Sequence, residues 1–301
     1  MFSLLILSRD GINSGHIKCC KDTVTIHYRN VISMCLIHSR SFFVMFKRIL
    51  IAAFLAASAP AFGQSIGLPA EGEILSGWRE EGGRHMAGLS IRLAPGWKTY
   101  WRAPGDGGIP PRFNWSGSRN LAGVHVHFPV PEVMDQNGLR TIGYDGDVVF
   151  PLVVAAADAS QPVQIRGEIE LGVCEEICIP VTLQVSGLLP AGGAHDAQIS
   201  AGIESRPSRG GSVACEIEPI ADGLRVRAVA DVPSMDVEAA VVEGSERGVW
   251  ISQPVLKRKG NRLMAEVEMV PPTGKPFALA RSDVRLTVIG SDGAVEYLGC
   301  Q

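Results

Sequence analysis

Apolar and polar residues alternate in one segment of this chain after another. "MAGLSIRLA" (Met86 to Ala94), "GVHVHF" (Gly123 to Phe128), "VQIRGEIEL" (Val163 to Leu171) and "VTLQVS" (Val181 to Ser186) all do so. A period of two puts one residue set on each face of an extended strand, so each segment predicts a strand with one buried face. Gly/Pro-rich turns separate them: "APGDGGIPP" (Ala103 to Pro111), "YDGD" (Tyr144 to Asp147) and "DASQP" (Asp158 to Pro162). No helical period competes between Gln64 and Gly187. The pattern predicts an all-β chain whose first part, 64–187, is a β-sandwich.

The segment 188–212 is small, polar and glycine-rich, ends in "SRPSRGGS", and is expected to be a linker with room for a short helix. Alternation resumes in "VACEIEPI", "LRVRAVA", "DVEAAVVE", "LMAEVEMV" and "VRLTVIG", which predict a second, smaller β domain over 213–301.

The front of the chain decides the expected compartment. Met45 to Gln64 reads "MFKRILIAAFLAASAPAFGQ". Lys47 and Arg48 precede a short apolar run, and Ala61 and Gly63 are small residues at the positions a signal peptidase needs. This predicts a secretory signal cleaved near Gly63, translation starting at Met45, and residues 1–63 outside the fold. Those residues hold seven Lys/Arg and two Asp/Glu; without them Gln64–Gln301 has 21 basic and 29 acidic residues, a net of −8. An acidic, exported chain is a poor nucleic-acid binder. The longest later apolar run, "VVFPLVVAAA", falls short of the roughly 20 residues of a spanning helix.

Four cysteines follow the signal: Cys174, Cys178, Cys215 and Cys300. An even number in an oxidising compartment predicts two bridges. Cys215 and Cys300 lie at the two ends of the second domain, and closing that loop of about 86 residues contributes roughly 4 to 5 kcal/mol. That pair reads as a structural staple. Cys174 and Cys178 close a loop worth only about 2 kcal/mol. The geometry is feasible if Glu175, Glu176 and Ile177 form the turn between adjacent antiparallel strands. A weak staple with feasible closure fits a bond made and broken in use. The two glutamates place negative charge beside the sulfurs, which raises thiol pKa and quietens the pair until a partner docks. Spacing alone leaves a buried structural bridge equally open.

"GWKTYWRAPGDGGIPP" (Gly96 to Pro111), "IGYDGDVVFPL" (Ile142 to Leu152) and "GVCEEICIP" (Gly172 to Pro180), in that order, resemble the N-terminal periplasmic domain of DsbD-type protein-disulfide reductases and the related ScsB-type proteins linked to copper tolerance. The resemblance spans roughly Ile66 to Gly187. It implies an immunoglobulin-like sandwich in which Cys174 and Cys178 exchange electrons. It implies two partners: a membrane-embedded donor, and periplasmic thioredoxin-like proteins that are reduced. No cofactor is implied. Trp97 and Tyr100 match the aromatic strand that lines the pair. The segment matching the family's aromatic cap, Val133 to Thr141, has no aromatic residue, so Met134 or Leu139 is expected to cap instead. Two features depart from the pattern. The C-x3-C spacing is shorter than in the best-known members, and neither a membrane core nor a thioredoxin-like domain follows, so the donor is expected to act in trans.

Two other function classes stay open at the level of sequence. C-x3-C with His125 and His127, which alternate on one strand, would suit Cu(I). A β-sandwich adaptor with two inert bridges would bind a partner through a strand edge. Nucleotide and hydrolase signatures are absent: "GDGGIPP" lacks the Lys-Ser/Thr of a phosphate loop, and no G-x-S-x-G or H-E-x-x-H occurs.

Overall fold

The computed structural model describes residues 68–301 apart from 106, 137, 237, 238 and 247. The expected leader and signal peptide lie outside the described residues. Among the described residues nineteen strands carry the fold, with one eight-residue helix and a single 3-10 turn at Arg281–Asp283. The described chain is therefore mostly β, as the alternation predicts.

Ten strands build an immunoglobulin-like two-sheet sandwich. One sheet has the order β1(Ala70–Arg79), β2(Arg84–Leu93), β8(Val148–Ala156), β5(Leu121–Val126). The other runs β10(Cys178–Leu189), β9(Val163–Cys174), β3(Lys98–Tyr100), β7(Leu139–Asp145), β6(Glu132–Gln136), with β4(Arg112–Asn114) also on β9. Between the sheets lies a core of Leu89, Ile91, Trp101, Leu152, Val154, Ile165, Ile169 and Val173, all fully buried. β9 shows the expected alternation as far as Leu171 and then turns wholly buried through Cys174. Something covers its outer face at that end.

A second pair of sheets follows. One holds β11(Ser208–Arg209), β19(Gly293–Leu298), β18(Arg285–Gly290) and β14(Ala239–Glu243). The other holds β12(Val213–Pro219), β13(Leu224–Asp231) and β17(Arg262–Val270), with β15(Trp250–Ile251) and β16(Val255–Lys259) both on β17. Their core is Val226, Ala228, Val267, Leu286 and Val288 with their neighbours. Cys215 and Cys300 are bonded, with Cα atoms 5.5 Å apart.

The stretch expected as a linker is a packed connection. The Asp196 side chain accepts from the backbone N–H groups of Gln198 and Ile199 at 2.8 and 3.2 Å, which caps helix α1(Ala197–Glu204). Ile199 is fully buried against β2 and β8. That helix explains why seven consecutive residues of β2, His85 to Ile91, are buried rather than every second one. β18 breaks the alternation for a related reason. Leu286 and Val288 face the second core, while Ile289 belongs to the core of the first sandwich, together with Ala294 of β19. The sheet carrying β18 is thus buried on both faces.

Candidate functional site

β9 and β10 form one antiparallel hairpin in unbroken register from Val163↔Leu189 to Cys174↔Cys178. Glu175, Glu176 and Ile177 make the turn, so the two cysteines are the last cross-strand pair. They are bonded, with Cα atoms 4.1 Å apart. Paired residues share a face, and Ile169, Leu171 and Val173 point into the core. Cys174 and Cys178 therefore stand on the outer face of the sheet.

The two sulfurs are not equivalent. Cys174 is 1% exposed, whereas Cys178 is exposed. β3 pairs with β9 at Lys98↔Cys174 and Thr99↔Val173, and Thr99 Oγ1 donates to Gly172 O at 2.9 Å. That register sets Lys98 and Tyr100 on the face of the cysteines, and Trp97 and Thr99 on the core face. The Tyr100 hydroxyl lies 3.0 Å from Cys174 Sγ and 3.0 Å from Cys178 Sγ. Disulfide sulfurs carry no hydrogen, so the phenol is the donor. Burial pushes the Tyr100 phenol above its usual value, which keeps that proton in place.

The ring of Tyr100 fits because Gly172 has no side chain. A Cβ there would lie 2.7 Å from Ile109 Cβ and 3.0 Å from two Tyr100 ring carbons. Ile109 comes from the "APGDGGIPP" segment, whose Gly107 carbonyl faces the Tyr100 hydroxyl at 3.5 Å. This loop is what covers the outer face at the end of β9.

Met134 and Leu139 reach the same face of the sheet through the β6–β7 ladder. Met134 is buried, with its methyl over Gly143, and Leu139 is half exposed and props Gly107. The side chain packed directly beside Tyr100 and Gly172 is Ile109. Trp97 is half-buried and turned into the core. Glu175 folds over Gly96, and Glu176 is exposed at the turn. Ile109 and Gly172 were passed over in the sequence; a lone apolar residue amid glycines and prolines, and a glycine two before a cysteine, were the available signals.

The surface around Cys178 is apolar. Ile177 is 74% exposed, and Ile109, Ile179 and Pro180 are exposed beside it. A shallow groove of about 170 Å³ continues from Ile109 and Pro110 along Pro180 to Thr182.

His125 and His127 belong to the opposite sheet and its continuation, with ring centroids 4.6 Å apart edge to face. Among the described residues no group of three His, Cys, Asp or Glu is placed to hold a metal. The His127 imidazole is lowered to about 4 by burial first, then by Arg206 and by His125. No helix of the described residues is long and apolar enough to cross a membrane.

The first sandwich thus presents a cysteine pair at the tip of a hairpin, one sulfur sealed under a tyrosine and the other open. Residues 71–190 match the family described as "Thiol:disulfide interchange protein DsbD, N-terminal", and the expected resemblance is borne out over that segment. Among solved structures the chain is similar to the N-terminal periplasmic domain of ScsB from Proteus mirabilis, at 24% identity and a TM-score of 0.55. That match covers 77% of this chain and 92% of the other. It therefore extends past residue 190, so the likeness in fold takes in part of the second sandwich. No curated protein matches the chain.

Proposed function

We propose that the protein is a periplasmic thiol–disulfide carrier. The Cys174/Cys178 pair accepts two electrons from a membrane-embedded donor acting in trans and passes them to oxidised thioredoxin-like proteins. The observation that carries this reading is the asymmetry of the pair: an open Cys178 beside a sealed Cys174 under the Tyr100 hydroxyl. Exchange requires in-line access to one sulfur and a stabilised leaving thiolate at the other.

Loading begins when a donor thiolate attacks Cys178 Sγ. A mixed disulfide forms, the Cys174–Cys178 bond breaks, and Cys174 leaves as a thiolate that takes a proton from water. The donor's second thiol then displaces Cys178. The donor ends as a disulfide, and the pair holds two electrons and two protons. Delivery reverses this. Cys178 attacks the acceptor's disulfide, Cys174 resolves the mixed disulfide, and the acceptor leaves as a dithiol. The apolar rim of Ile109, Ile177, Ile179 and Pro180 offers a docking surface at the reacting sulfur.

A redox titration of Gln64–Gln301, with thiols trapped by alkylation and mapped by mass, tests the reading. Cys174 and Cys178 are expected to open near the potentials of periplasmic carriers while Cys215 and Cys300 stay closed. Resistance of both bridges to below about −300 mV would make them structural.

A further inference from the structure

Tyr100, Trp101 and Arg102 are consecutive residues that reach three different places. The Tyr100 hydroxyl touches the two sulfurs. Trp101 is fully buried in the first core, and its backbone N–H donates to Ile142 O at 3.0 Å. Arg102 leaves the first sandwich altogether. Its guanidinium lies 3.8 Å over the Trp101 ring and reaches carboxylates on the second sandwich.

The grip is specific. Arg102 Nε donates to Glu243 Oε1 at 3.0 Å, and its Nη2 donates to Glu243 Oε2 at 2.9 Å, a two-point fork. The same Nη2 reaches Glu296 Oε1 at 2.7 Å and Thr287 Oγ1 at 3.4 Å. Glu243, Thr287 and Glu296 lie on β14, β18 and β19. The registers Val241↔Thr287↔Glu296 and Glu243↔Arg285 put their side chains on one face, the face that carries Ile289 and Ala294 into the first core. Arg102 is 16% exposed and each carboxylate 20%. Such a partly desolvated fork fixes position more firmly than a surface pair does.

An anchor two residues away, with a fully packed tryptophan between, leaves Tyr100 little freedom to move from the sulfurs. We infer that Arg102 is a positioning residue through which the second sandwich holds Tyr100 against the pair and so sets its reduction equilibrium. This inference rests on the exchange reading for its biological use, but its readout does not. A phenol donates a stronger hydrogen bond to a thiolate or thiol than to a disulfide. Releasing Tyr100 therefore disfavours the reduced form.

The test is the equilibrium constant of the Cys174–Cys178 bridge in dithiothreitol buffers, which open strong bridges as well as weak ones. The full chain is compared with Arg102→Ala, Arg102→Lys and the double variant Glu243→Gln/Glu296→Gln. The double variant alters nothing in the first sandwich and keeps side-chain size, so it reads the same contact if Arg102→Ala fails to fold. Arg225→Ala, which removes a Glu268 ion pair elsewhere in the second sandwich, is the control. Retained circular dichroism, and a Cys215–Cys300 bridge that is closed before reductant is added, establish folding. Arg102→Ala and the double variant are expected to lower the constant for reduction about fivefold, the worth of roughly one hydrogen bond, equal to about 20 mV for a two-electron couple. Arg102→Lys recovers part of the shift. Constants within twofold of the parent, or an equal shift in Arg225→Ala, overturn the inference. A parent bridge that opens only below about −300 mV overturns the exchange reading instead.

Discussion

At the scale of single residues, the site turns on one hydroxyl and one missing side chain. Tyr100→Phe removes the donor 3.0 Å from each sulfur and keeps the ring. The bridge should become harder to reduce by about fivefold, read by equilibration with dithiothreitol. The effect should persist through alkaline buffers, because burial keeps the Tyr100 phenol protonated beyond its usual value of 10.0. Gly172→Ala places a methyl into Ile109 and the Tyr100 ring. Alkylation of the reduced protein should then show Cys174 reacting faster, as the ring is pushed off it. The cysteines themselves were legible in the sequence, and so was the three-residue turn between them. Tyr100 was legible through the family resemblance. Ile109 and Gly172 were not, because a contact across three strands leaves no local period behind.

Among the elements, strands with one wet face announced themselves and the others did not. β9, β13 and β17 alternate because only one face is packed. β8, "VVFPLVVAA", has three consecutive buried residues at its centre, Phe150 to Leu152, and reads as a plain apolar run with a proline. β3 and β4 are three residues each, too short for any period. The short helix for which 188–212 left room is there, capped by Asp196, a standard N-cap; its small residues gave no sign that it packs. Ile199 is fully buried, so Ile199→Ala should cost about 2 to 5 kcal/mol, measured by urea denaturation. Asp196→Ala should cost about 1 kcal/mol in the same assay.

For the whole molecule, the junction between the sandwiches and the acid response both depend on contacts distant in sequence. Arg102 meets partners 141 and 194 residues away, which is why neither the ion cluster nor the double-faced burial of β18 could be read from the chain. Losing one partner of such a cluster leaves buried charge uncompensated, so Arg102→Ala should also lower stability by roughly 3 to 5 kcal/mol. Two histidines make the fold sensitive to acid. His85 is lowered by burial, with Arg79 adding and a hydrogen bond to Ser76 O opposing; His127 is lowered to about 4. The unfolded chain takes up these protons near pH 6.5 and the folded chain does not. Stability from both is therefore whole above about pH 6.5 and drains as pH falls from there, for His127 down to about 4. Melting at pH 5 should occur below melting at pH 7.5, and His127→Asn should shrink the gap. The hairpin carries a last consequence. Twelve residue pairs hold β9 and β10 together, ending at the cysteines. In the proposed exchange the bond at their tip is made and broken at the end of that ladder, so twelve pairs stand behind the reacting sulfurs in the bonded form. Such a hairpin would act like a capacitor rather than a switch, taking up two electrons at its tip with the ladder kept in register. A partner in that exchange would then tell the loaded form from the empty one at the sulfurs themselves.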